Sequence, residues 1–140
     1  WKGLRIMGLG GSIRYNREET FQYTEQEMRR RMRRLWFKAH RAGGIDLLLT
    51  HSPAAGLNDG DDRAHKGFAC FNDLLEEYQP KWFVHGHVHL SYNANLPRVC
   101  THGQTTVINA TERYTFEIPD PDPVARKRFF WNDPAFPTKN

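Results

Sequence analysis

No apolar stretch in this chain is long enough to cross a bilayer. Runs such as residues 45–49 fall far short of the roughly 20 residues a helical span requires. A secretory leader is not expected either, because Trp1 opens the chain and an Arg-rich segment follows where an apolar core of a signal would stand. With Trp at its opening, the chain is not expected to begin at a native start, and upstream sequence is expected to have been removed. Cysteine is scarce: Cys70 and Cys100 are too few for the disulfide framework of a small secreted fold, and a reducing cytoplasm is the expected location. Cys70, among Phe68, Ala69 and Phe71, reads as a small buried hydrophobe. What remains is ordinary for one folded domain: 140 residues, 39% hydrophobic and 26% charged.

The net charge of +4 has a local origin. Seven basic residues between positions 24 and 41 (Arg29, Arg30, Arg31, Arg33, Arg34, Lys38, Arg41) stand against Glu25 and Glu27, giving +5 and leaving −1 for all other segments. Thr24-Glu25-Gln26-Glu27 is a capping box that starts a helix there. Met28, Met32, Leu35, Trp36 and Ala39 recur on one face, and Gly43-Gly44 stops it. Residues 4–9 read as a strand ending in the Gly-rich turn Gly8-Leu9-Gly10-Gly11-Ser12. That turn lacks the Lys-Ser/Thr of a phosphate loop. Residues 45–49 read as a buried strand, 65–78 as a second helix stopped by Pro80, and 82–84 as another strand. Residues 105–109 and 114–118 have β character and are expected to pair as a hairpin. The segment 119–140 reads as an extended Pro-rich tail whose Phe129, Phe130 and Trp131 can dock on the body.

The informative pattern is strand–His51, helix, strand–His85-Gly86-His87-Val88-His89. Two strands flanking one helix form a βαβ unit with parallel neighbours, and ligands gather at the carboxyl ends of such strands. Neutral imidazole suits zinc, iron, manganese or nickel, and residues two apart in an extended loop point the same way. Gly86 is expected to let the backbone approach closely. Isolated histidines such as His40 and His102 are ordinary surface or hydrogen-bonded residues, and a solvated His-rich turn is the non-metal explanation of the cluster.

Thr50-His51-Ser52-Pro53, then Gly86-His87-Val88-His89, then the strand ending Val107-Ile108-Asn109-Ala110, resembles the C-terminal half of calcineurin-like metallophosphoesterases. Gln22-Tyr23-Thr24-Glu25 and His65-Lys66-Gly67-Phe68 resemble a bacterial branch of that family, and the likeness runs from about residue 5 to residue 118. It implies an α/β fold, the C-terminal half of a four-layer α-β-β-α sandwich, with residues 1–118 a partial domain and 119–140 the tail. It further implies hydrolysis of a phosphate ester with two divalent metal ions (Mn, Fe, Zn or Ni). His51 and His87 would bind one ion and His89 the other. The family's earlier motifs, Asp-x-His, Gly-Asp-x-x-Asp and Gly-Asn-His-Asp/Glu, are missing, and Gly60-Asp61-Asp62-Arg63 does not replace them. The bridging aspartate, the metal-binding asparagine and the protonating histidine are therefore absent, and no catalytic residue is identifiable. Three imidazoles without a carboxylate leave dication charge uncompensated, so the expectation is a fragment whose other ligands lie upstream. The rivals are a non-catalytic metal- or phosphate-binding module, and a mononuclear zinc site of His85, His87 and His89.

Lesser features have plainer readings. The basic helix face is expected to be solvated rather than bound to nucleic acid or acidic lipid, with no aromatic residue among its cations. The 58–62 loop lacks the closing glutamate of a calcium loop and reads as turn and N-cap for the second helix. His65 can reach a bound phosphate, and His85 lies behind the ligands or on the substrate side. Neither substrate nor oligomeric state is fixed by these residues.

Overall fold

The computed structural model describes residues 3–16, 20–91 and 95–119; the tail beyond, with Phe129, Phe130 and Trp131, lies outside them. The elements in chain order are β1 (Ile6–Leu9), β2 (Ser12–Ile13), β3 (Gln22–Tyr23), α1 (Glu25–Arg41), β4 (Leu47–Thr50), α2 (Ala69–Tyr78), β5 (Trp82–His85), β6 (Val99–His102) and β7 (Thr105–Asn109). The main sheet has the order β1-β4-β5-β7-β6. All neighbours are parallel except β6, which runs against β7. Steps from β1 to β4 and from β4 to β5 go the same way along the sheet, so right-handed crossovers put α1 and α2 on the same face.

That face holds the core. Met7, Leu9, Leu48, Phe83 and Val107 point to it from alternate strand positions, meeting Met28 and Met32 of α1 and Phe71, Leu74 and Leu75 of α2. Phe68, Phe71 and Phe83 are fully buried, each stabilising the fold by about 2–3 kcal/mol through area removed from water. Cys70 is buried among them, and burial pushes its thiol up to about 12. The capping box forms as the sequence implies, with the Glu27 amide donating to Thr24 Oγ1 and the Thr24 amide to Glu27. The opposite face carries a smaller cluster, Leu47, Val84 and Ile108, and leaves Ile6 49% and Leu49 48% exposed.

Several expectations are corrected. The hairpin joins β6 to β7, while residues 114–118 form no strand. β7 already has β5 on one edge and β6 on the other, so no ladder is open to them. Phe116 and Ile118 instead lie against the Leu47, Val84 and Ile108 cluster. The second helix begins at Ala69, four residues later than expected, and its N-cap Phe68 offers no side-chain bond. Glu25, from the first turn of α1, accepts from the amides of Ala69 (3.1 Å) and Cys70 (2.6 Å). A carboxylate distant in sequence thus satisfies the donors that a local cap would serve. Trp36 lies at the edge of the buried stripe, 41% exposed, its indole N–H on Glu77. Phe37 is 67% exposed on the cationic side, where no aromatic residue was expected.

Candidate functional site

Parallel pairing brings the histidine-bearing loops together. β4 and β5 run in register from Leu47↔Trp82 to Leu49↔Val84, and the ladder continues where the Gly86 amide donates to the His51 carbonyl at 3.0 Å. On the other side, the His51 amide donates to Leu9 O. His51 and His87 therefore leave neighbouring strands at the same sheet edge.

Their rings meet. His51 Nε2 lies 3.0 Å from His87 Nδ1, with ring centroids 4.8 Å apart. His87 Nε2 lies 2.8 Å from Ala64 O. A carbonyl can only accept, so Nε2–H donates there and Nδ1 keeps its lone pair toward His51. Burial holds the His87 pKa below the ordinary value; the Ala64 bond opposes this, and like-charge repulsion from the His51, His65 and His89 imidazoles adds to it. The backbone at His87 has φ 68, and the Val88 amide donates back to Gly86 O at 2.8 Å, so His87 centres a tight γ-turn. Strain of this kind persists only where surroundings enforce it. Fully buried Asn109 supplies the enforcement: its Nδ2 donates to Val88 O at 2.8 Å, and Thr111 Oγ1 lies 3.0 Å from the same carbonyl.

The other histidines divide. His65 stands with its ring 5.3 Å from that of His87, held through Nδ1 by Asp62 at 2.7 Å. His89 is exposed. His85 is 1% exposed and shares the helix-side face with Phe83, 5.4 Å ring to ring. Its Nδ1 donates to Gly86 O, and its Nε2 has no partner among the described residues. Desolvation pushes its pKa down to about 4, so the ring is neutral. A cleft of about 640 Å³ opens beside the pair, lined in part by Gly10, Gly11, Tyr23, Arg31, His51 and His87.

Against known proteins, no family profile matches the chain. It is 32% identical over 71 residues to metallophosphoesterase domain-containing protein 1 of Homo sapiens, a match covering 49% of this chain and 20% of that protein; the Mus musculus protein gives the same values. A UPF0046 protein of Caenorhabditis elegans is 37% identical over 73 residues, covering 47% and 24%. The chain is related to metallophosphoesterase-domain proteins. It spans about a fifth to a quarter of the length of these curated relatives. A solved crystal structure shares the fold, with a TM-score of 0.55 and 19% identity over 80% of this chain and 42% of that one.

Seen against a metallophosphoesterase relationship, the histidine pair has a suitable spacing. Two imidazole nitrogens on one tetrahedral zinc, at about 2.0–2.1 Å each, would stand about 3.3 Å apart, close to the 3.0 Å here. The set stops short of a full centre. Among the described residues no group of three or more His, Cys, Asp or Glu side chains is placed to hold a metal. Two of the three aspartates of the 58–62 loop are committed elsewhere, Asp59 accepting from the Gly56 and Gly67 amides and Asp62 from those of Ala64 and His65, while Asp61 is exposed. The loop therefore does turn duty as expected, while leaving the α2 cap to Glu25. The residues fit two ligands of one ion and do not build a two-ion site.

Two readings of single residues change. Gly86 has no close neighbour demanding glycine among the described residues, since an added Cβ would make only ordinary contacts at 3.8 and 3.9 Å; the unusual backbone is one residue later. The Gly10-Gly11 turn and Arg31 were not singled out for the site, yet they line its cleft. There the Arg31 guanidinium lies 4.0 Å from the centre of the Tyr23 ring and donates to Gly10 O at 2.6 Å. No local signal marks Arg31 among seven basic residues.

Proposed function

We propose that this chain is the C-terminal part of a metal-dependent phosphoesterase domain, in which His51 and His87 hold one divalent ion and His89 reaches toward a second. The observation that carries this reading is the 3.0 Å approach of His51 Nε2 to His87 Nδ1 at the mouth of a cleft. Ions bound there would supply the activated water and the charge neutralisation that phosphate-ester hydrolysis needs. The Ala64 carbonyl fixes the His87 tautomer with Nδ1 free to ligate. His51 must then carry its proton on Nδ1, which its exposed position permits. Arg31 sets positive charge in the cleft that receives the substrate.

The remaining ligands, carboxylates above all, belong to sequence outside these 140 residues. The sheet face that exposes Ile6 and Leu49 is where the companion sheet of the sandwich packs. In this reading the domain covers residues 1–118 and the segment 119–140 trails from it, in a reducing cytoplasm. The absence, among the described residues, of a three-ligand group favours a second reading, a module that binds metal or phosphate without turnover. A zinc site of His85, His87 and His89 is disfavoured because His85 is turned into the core.

Equilibrium dialysis with Mn²⁺ and Co²⁺ tests the pair: His51→Ala and His87→Ala should each abolish binding, and His85→Phe should not. Retention by His51→Ala would overturn the assignment. Turnover of an aryl phosphodiester with added Mn²⁺, lost in His89→Ala, separates the enzyme from the binding module.

A further inference from the structure

The outward face of α1 has no role in the site. Arg30, Arg33, Arg34, Phe37, Lys38 and Arg41 follow one another at steps of three and one, which places all six on one face of the helix. That face lies opposite Met28, Met32 and Ala39, which are buried. All six residues are exposed, and the stripe runs about 17 Å along the helix. None of the five cations makes an ion pair among the described residues, although Arg5, Arg14 and Arg29 each have an acidic partner. At the centre sits Phe37, 67% exposed, with the Arg41 guanidinium 5.9 Å from its ring centre.

We propose that this face is a docking surface for an anionic phospholipid bilayer. Five unneutralised cations on one ridge match a plane of headgroup phosphates, each cation being worth about a fivefold change in partition near such a surface. An exposed phenyl ring amid them gains nothing in water, whereas at a bilayer it enters the interfacial region while the flanking side chains stay at headgroup level. A nucleic-acid strand fits less well. The surface is a single convex ridge, and Trp36, the nearby aromatic side chain that could extend a stacking platform, faces α2 with its indole N–H on Glu77.

Sedimentation of the full chain with phosphatidylcholine vesicles containing about a third phosphatidylserine tests this. The parent should bind these vesicles, bind pure phosphatidylcholine at least about tenfold more weakly, and be released by molar salt, because screening shortens the reach of the charges. The double variant Arg33→Glu/Arg34→Glu should lose at least about tenfold in partition, and Phe37→Ser several-fold, both with unchanged circular dichroism since these side chains are exposed. Leu49→Ser, on the open sheet face, should bind as the parent does. Equal binding to neutral vesicles, loss in Leu49→Ser but not in the Arg33/Arg34 variant, or displacement from vesicles by equimolar duplex DNA would each overturn the proposal.

Discussion

The turn that presents His87 hangs on two side chains, and substituting them tests whether they enforce its backbone. Asn109 Nδ2 donates to Val88 O at 2.8 Å; its Oδ1 accepts from the Thr111 amide at 3.0 Å and faces Thr111 Oγ1 at 2.6 Å. Thr111 Oγ1 also lies 3.0 Å from Val88 O, but one hydroxyl proton serves one acceptor at a time. Asn109→Leu keeps the branching and removes every polar atom. Two hydrogen bonds at a net of about 1 kcal/mol each are lost, the Thr111 hydroxyl turning to Val88 O, and a buried Thr111 amide is left unpaired. Added apolar burial returns part of that, so the variant should lose about 3 kcal/mol. Thr111→Val removes only the hydroxyl bond and should cost about 1 kcal/mol. Only the double variant leaves the buried Val88 carbonyl without either side-chain donor, so its loss should exceed the sum of the singles by about 1 kcal/mol. Urea unfolding of the four proteins measures these differences, and amide exchange over residues 86–90 should accelerate in Asn109→Leu. A loss below about 1 kcal/mol, or strictly additive singles, would show that the network does not hold the turn.

Acid should destabilise the chain through His85, whose pKa is pushed down by burial from 6.5 to about 4. Because the folded ring resists protonation and the unfolded one does not, stability is complete above about pH 6.5 and falls as pH drops toward 4, by about 3 kcal/mol in all. His85→Phe should flatten much of that slope in urea titrations from neutral to acid pH, since the Gly86 carbonyl keeps the Val88 amide; an unchanged slope would refute it. Glycine substitutions should divide by position. A Cβ at Gly67 would stand 2.4 Å from the Ala54 carbonyl carbon, whereas one at Gly10 meets nothing within 4 Å among the described residues. Gly67→Ala should therefore lower the melting temperature by several degrees, about 2 kcal/mol or more, and Gly10→Ala should change it little.

Features governed by near neighbours were legible in the chain itself. The capping box at Thr24 and Glu27, the Met28–Met32–Ala39 stripe, the strands before His51 and His87 and the βαβ order all follow from periodicity and turn chemistry. Both govern contacts within a few residues. The convergence of His51 and His87 followed at one remove, because parallel neighbours end at a common edge. Everything that depended on a choice among distant partners was left to the tertiary structure. β6 rather than residues 114–118 took the free edge of β7, and Glu25 capped a helix that begins 44 residues later. The same holds for the histidine cluster: strand alternation turned His85 into the core beside Phe83, the 58–68 loop delivered His65 to His87, and His89 stayed exposed. Hydrophobic pattern determines which face of an element is buried, but the rim of the cleft is set by which loops the packed sheet brings side by side, and no local pattern encodes that.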